Sequence, residues 1–352
     1  RNHGSTTVTE YEYNNRFYSV TICPVFDAQH KIVEKMAGEG VEVSDEEATL
    51  YLEENMEYLP KEATQEELIN IAPDLYDITV FGNEPCGNYN RILLSPVLAG
   101  EKNIEDIMLN EKSWYEENGI KLYTDKMVVK VDRRNREVVA EDGTTEKYDR
   151  LLLATGSNPI ILPISGNDLK GVVSFRNIRD VHTMLEISAT HKQALVIGGG
   201  LLGLEAANAL KQQGMYVTVV HLVDSLMERQ LDSEAADMLK RDLEKRGIQF
   251  LMETSTEAIL GEEKVRGVRF KGGLEIAADL VVMAVGIRPN ISLAKDANIY
   301  CERGIVVNDT MQSYDGRIYA VGECVQHKGQ VYGLVAPLFN QAKVCANQLA
   351  QL

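Results

Sequence analysis

Residues 193–224 read QALVIGGGLLGLEAANALKQQGMYVTVVHLVD. Gly198, Gly200 and Gly203 are spaced as G-x-G-x-x-G, directly after an apolar run and directly before a helical one. That spacing suits phosphate chemistry. Gly198 permits a tight turn, Gly200 lets the backbone approach a pyrophosphate, and Gly203 allows the helix to pack closely on the strand. The helix start then presents free N–H groups and the positive end of its dipole. Three glycines alone would equally make a packing turn; their place between strand and helix favours a dinucleotide. Leu202 within the turn and Gly286, in the corner Ala284-Val285-Gly286, are assigned to the same NAD(P) site.

An acidic residue commonly ends the strand after such a helix and reads the ribose 2′-hydroxyl of NAD. Here that place holds His221, with Asp224 three residues on and Arg229 eight residues on. His221 is assigned to the nucleotide site, a surface histidine being the competing reading, and the choice between NADH and NADPH stays open.

Similar elements occur earlier. ELINIAPDLYDITVFGNE, residues 67–84, gives a short helix, an apolar strand ending at Gly82, and an acid, Glu84. Strands at KMVVKVD, REVVAED and YDRLLLATG follow, ending in Ala154-Thr155-Gly156. The glycine unit continues in the same way, through strands to Gly286. This is a duplication at domain scale. Alternating buried strands and helices imply parallel sheets. The expected fold class is α/β: two Rossmann-like dinucleotide-binding domains with β-meander insertions, plus a small acidic N-terminal α+β module. The expected boundaries are 1–63 for the module, 64–160 with 300–352 for the first dinucleotide domain, and 161–299 for the NAD(P) domain.

The module reads as ββαα. Residues 7–22 alternate around Asn14-Asn15, as in a hairpin. A helix is expected over Ala28–Met36, and Ser44 with Glu47 forms a capping box for another. Of the net charge of −17, residues 1–70 carry −10, from 15 acidic and 5 basic side chains. A solvated acidic surface is the simpler reading of that excess; docking of a basic partner is the other. The acidic balance argues against nucleic acid and against anionic membrane surfaces.

The five cysteines, Cys23, Cys86, Cys301, Cys324 and Cys345, form no close pair. This excludes a disulfide framework, a thioredoxin-type pair and a metal or iron–sulfur cassette built from close pairs, so no metal site is expected. No apolar run approaches the roughly 18 residues of a membrane span. A reducing cytoplasm is the expected compartment, with a homo-oligomer left open.

The paired units and YAVGEC resemble the two-dinucleotide-binding-domain flavoproteins. APDLYDITVFGNEP, NYNRILLSPVLAGEKN, LLLATGSNP, VIGGGLLGLEAANALKQQG, LMERQLD, GIRPN and GECVQHKGQVYGLVAPL resemble, more narrowly, the NAD(P)H- and flavin-binding part of the assimilatory nitrite reductase large subunit. The likeness runs from about Thr64 to Leu352. It implies FAD and NAD(P)H as cofactors, hydride transfer to flavin, and onward electron transfer to a redox acceptor protein or a further reductase subunit. It places Glu84 on the adenosine ribose of FAD, the Val128 backbone by the adenine, and Arg91 and Ser95 by the isoalloxazine or pyrophosphate. Thr155, Gly156, Gly322, Glu323, Val335 and Ala336 complete the implied FAD site. Glu205 would face the nicotinamide as the catalytic-site acid; a helix charge paired with Lys211, or a partly buried acid, are equal readings. Cys324 is read as a buried structural thiol.

One part of the pattern is missing. Counting back from Asp77 puts the first glycine turn near residues 56–61, MEYLPK, yet no glycine occurs from Val41 to Phe81. The stretch that should feed the turn, YLEENMEY, is too charged for the centre of a parallel sheet. FYSVTIC could insert there, another chain could supply the strand, or segment order could differ from the flavoproteins. Two further functions compete with the nitrite reductase-like one: an NADH:rubredoxin or ferredoxin reductase-like enzyme, and a flavin-free NAD(H)-binding scaffold or sensor.

Overall fold

The computed structural model describes residues 16–21, 64–333 and 335–351; side chains are described from Thr64 on, apart from Val335 and Ala336. The helices expected at Ala28–Met36 and after Ser44, and the first half of the expected hairpin, lie outside these residues.

Two five-stranded parallel sheets form the frame. The first has the order β19-β7-β1-β2-β3, with β1 Arg16–Thr21, β2 Asp77–Phe81, β3 Lys121–Tyr123, β7 Arg150–Ala154 and β19 Ile318–Ala320. The second has the order β12-β11-β10-β16-β9, with β9 Val172–Ser174, β10 Gln193–Ile197, β11 Tyr216–Val220, β12 Gln249–Leu251 and β16 Leu280–Met283. Alternate residues of β10 enter two separate cores: Ala194 and Val196 face one, Leu195 and Ile197 the other. Burial of both faces is why this strand reads as an unbroken apolar run.

Strand β1 corrects the hairpin expected over residues 7–22. It pairs in parallel with β2 on one edge and with β7 on the other, so neither edge is left for a hairpin partner. FYSVT therefore supplies the central strand that the duplication requires.

Each sheet carries an antiparallel meander. The first is β4 Val128–Asp132, β5 Glu137–Ala140 and β6 Thr145–Lys147; the second is β13 Thr256–Gly261, β14 Val265–Phe270 and β15 Glu275–Ala277. The sequence reading does not separate β6, β13 or β15, which are short or largely exposed. The two halves are tied by β8 Ser157–Pro159 pairing with β17 Ile287–Pro289. Three short strands, β18 Ile305–Val307, β20 Val325–His327 and β21 Gln330–Val331, form a small separate sheet.

The helices, in chain order, are α1 Thr64–Ile71, α2 Leu94–Ala99, α3 Lys112–Glu117, α4 Ile178–Thr190, α5 Leu201–Gln212, α6 Ser233–Lys245, α7 Ser292–Asp296 and α8 Val335–Ala350. Helix α1 packs on α8, with Lys343 and Glu67 paired at 3.4 Å. Helix α2 of the first half packs on α5 of the second, which brings the two halves together at the site described next.

Candidate functional site

The glycine turn divides into residues the fold needs and one it does not. Gly198 has φ +123°, and a Cβ there would lie 2.3 Å from the Ala284 carbonyl oxygen. A Cβ on Gly203 would meet the Gly198 carbonyl oxygen at 2.0 Å, and one on Gly199 would meet the His221 ring at 2.8 Å. These three glycines let strand, turn and helix close on each other. Gly200 is different: a Cβ there would meet nothing within 4 Å. It sits at the start of α5, where no side chain caps the helix. Open space over uncapped N–H groups is what a pyrophosphate needs, so this turn fits the dinucleotide.

His221 follows β11 and is buried. Its Nδ1 accepts the Gly199 N–H at 3.1 Å, and its Nε2 lies 3.2 Å from Glu228 Oε2. Its ring braces the turn.

Where α2 meets α5, a cavity of about 180 Å³ opens between the halves, lined by Arg91, Ser95, Arg176, Leu202, Glu205, Gly286 and Glu323, with Phe175 and Gln230 among the others. Glu205 Oε2 accepts from Ser95 Oγ at 2.7 Å. Lys211 instead lies over the Tyr216 ring, 5.8 Å from its centroid.

Across the cavity, Arg176 and Glu323 form a buried ion pair through Nη2 and Oε2, and Glu323 Oε2 also accepts from Ser157 Oγ at 2.9 Å. Burial pulls the Arg176 guanidinium below its ordinary pKa, against the attraction of Glu323. Glu323 Oε1 and Arg176 Nε and Nη1 are buried without a protein hydrogen-bond partner. Buried polar atoms are rarely left so. Beside a cavity, they mark a place prepared for a polar ligand, and they fit the polar edge of a flavin.

Arg91 donates through Nη1 to the Arg176 carbonyl and through Nη2 to Glu84 Oε1, the latter at 2.7 Å. Glu84 Oε2 accepts from Tyr89 Oη at 2.7 Å. Glu84 thus engages both oxygens within the fold, beside a smaller concavity of about 20 Å³ at the end of β2. Val128 is buried at the start of β4, paired with Ala140. Thr155 Oγ1 donates to the Asn290 carbonyl at 2.6 Å, and the Asn290 N–H donates to the Gly156 carbonyl at 2.9 Å, so this corner clamps the two halves. Gly322 has φ +89° and open space at its Cβ position. Val335 and Ala336 begin α8, two and three residues beyond the cavity-lining Gly333. Cys324 is fully buried, its thiol pushed up by burial and donating to the Val321 carbonyl at 3.2 Å.

The cavity therefore gathers Arg91, Ser95, Leu202, Glu205, Gly286 and Glu323. His221, Glu84 and Val128 do not line it. Arg176 and Phe175 are additions that motif reasoning misses. A lone arginine in the apolar run GVVSFRN was the available signal, sharpened by Asp180 four residues on, whose carboxylate accepts the Arg176 N–H at 2.7 Å. Among the described residues there is no group of three or more His, Cys, Asp or Glu placed to hold a metal, and no helix long and apolar enough to cross a membrane.

Two parallel sheets of like order, an open glycine turn on one and a buried polar pair between them, define a nucleotide-binding reductase of the two-domain type. The chain belongs to the pyridine nucleotide-disulphide oxidoreductase family, whose sequence profile matches residues 65–347. Proteins of this family bind FAD and NAD(P)H. The chain is 56% identical over 284 residues to a nitrite reductase [NAD(P)H] of Bacillus subtilis (strain 168), covering 81% of this chain and 35% of that one. It is 48% identical over 284 residues to the assimilatory nitrate reductase electron transfer subunit of the same organism, covering 81% and 37%. The chain thus spans about a third of the length of these relatives. Among solved structures it is similar to the ferredoxin reductase for the CYP199A2 system from Rhodopseudomonas palustris, with TM-score 0.76 and 25% identity over 82% of this chain and 73% of that one.

Proposed function

We propose that this chain is the electron-input part of a nitrite or nitrate reductase system, passing electrons from NAD(P)H to a redox acceptor protein or a further reductase subunit. The observation that carries the reading is the cavity at the α2–α5 contact. Its wall combines the first residues of α5, Leu201 and Leu202, which follow Gly200, with Arg176 and Glu323, whose orphaned atoms are buried. Bound FAD would supply the redox chemistry, taking a hydride from NAD(P)H and releasing single electrons.

The chain's own residues bind, orient and exclude water. Gly198, Gly200, Leu202 and Gly203 hold the nicotinamide dinucleotide's phosphates, with Gly286 at the cavity wall. Glu205, fixed by Ser95, orients the nicotinamide. Arg176 and Glu323 engage the flavin's polar edge, with Arg91, Thr155, Gly156, Gly322, Val335 and Ala336 around it. Glu84 and Val128 border the adenosine end. No protein nucleophile or general base is required, which suits a site whose thiol, Cys324, is buried and held protonated.

The purified protein is expected to take up FAD, turn yellow, and bleach on anaerobic addition of NADH or NADPH. A protein that takes up no flavin, or that keeps its colour with both nucleotides, contradicts the reading.

A further inference from the structure

We infer that Glu228 reads the ribose 2′-position of the nicotinamide dinucleotide and selects NADH over NADPH, with His221 holding its carboxylate in place. This rests on the dinucleotide reading of the Gly198 turn and names the cofactor of that site.

The His221 ring fixes the geometry. Its Nδ1 accepts the Gly199 N–H at 3.1 Å, so Nδ1 carries no proton. A neutral imidazole then has its proton on Nε2, and that nitrogen faces Glu228 Oε2 at 3.2 Å. The ring therefore donates to the carboxylate. One imidazole links the turn that meets the pyrophosphate to an acidic group in the loop after β11.

On this fold a dinucleotide lies across the carboxyl ends of the strands, with its adenosine ribose by the end of the second strand of the unit. That strand is β11, and its end is His221, where the usual acid is absent. Glu228 supplies the missing charge from the following loop. Its side chain is 43% exposed, so it is tethered to His221 and still open to a ligand. Leu222 and Val223, next to His221, are exposed apolar side chains on which an adenine can rest.

The surrounding charge points the same way. Asp224, Glu228 and Arg229 are exposed on this loop, and Glu253 follows β12, its N–H donating to the Val223 carbonyl at 3.2 Å. Three carboxylates stand against one guanidinium. A ribose 2′-hydroxyl can donate to Glu228. A 2′-phosphate cannot, and its charge of about −1.5 to −2 meets net negative charge.

The test is equilibrium binding of NADH and of NADPH to the purified full chain at low salt, its flavin first reduced with dithionite so that no hydride is taken, followed by nicotinamide fluorescence. Wild type is expected to bind NADH about tenfold or more tightly than NADPH. Glu228→Gln keeps an acceptor for His221 and removes the charge. It should tighten NADPH about tenfold while moving NADH by less than about threefold. Glu228→Arg should reverse the preference. Raising salt should narrow the wild-type ratio. Equal affinities in wild type, or an unchanged ratio in Glu228→Gln, would overturn the assignment and leave the nucleotide site intact. No binding of either nucleotide to wild type would overturn the dinucleotide reading itself.

Discussion

The central strands of the two sheets, β1 and β10, occupy the same place and end differently. Ile197 of β10 pairs with Met283, and the next residue, Gly198, leaves the ladder with φ +123°. Val20 of β1 pairs with Leu153, and the next residue, Thr21, stays in the ladder opposite Ala154. Gly198 can turn beside the Ala284 carbonyl because it has no Cβ. Thr21 has one, and continues as strand. The residues that follow it are Ile22-Cys23-Pro24-Val25-Phe26, with no glycine before Gly38. Strand pairing and phosphate turning are thus separable: one half keeps both, and the other keeps the strand with a different sequence after it.

Mutations at these equivalent places should part company. Gly198→Ala forces a Cβ against backbone and strains φ, and should cost about 3 kcal/mol or more in guanidinium unfolding. Comparable in size is the effect at the buried polar pair of the cavity. Arg176→Met leaves the Glu323 carboxylate buried and alone, which should cost about 3–5 kcal/mol. Adding Glu323→Gln should recover part of that loss. A stability unchanged by Arg176→Met would show that the pair does not tie the two halves together. Ser95→Ala removes one hydrogen bond to Glu205 and should cost about 1 kcal/mol, read as a small shift in the unfolding midpoint. Smallest is Thr21→Gly, expected to lower stability by about 0.5–1 kcal/mol, the ordinary cost of glycine within a strand. If Thr21→Gly were as damaging as Gly198→Ala, the contrast between the two strand ends would be lost.

Local signals made much of this legible. ALVIGGG followed by LLGLEAANAL states strand, turn and helix in consecutive residues, and the repeated small-residue corners at Gly156 and Gly286 reveal the duplication. Strand β1 was harder. Residues 22–63 separate it from α1, and parallel pairing with β2 and β7 leaves no mark in local periodicity. Alternation around Asn14-Asn15 reads equally as a hairpin. The site divided in the same way. Gly200 and Glu205 lie within one motif. Arg176 owes its role to Glu323, 147 residues away, and a single sequence has no means of joining them. Glu205 stayed ambiguous until α2 brought Ser95 to it from 110 residues away.

Gly200 offers the most direct test, because its Cβ position is empty and the fold does not depend on it. Gly200→Leu in the flavin-loaded protein should leave the yellow colour and the unfolding midpoint near wild type. Dithionite should bleach it, and NADH should not. Bleaching by NADH at the wild-type concentration would contradict the account, placing the nucleotide somewhere other than the Gly198 turn.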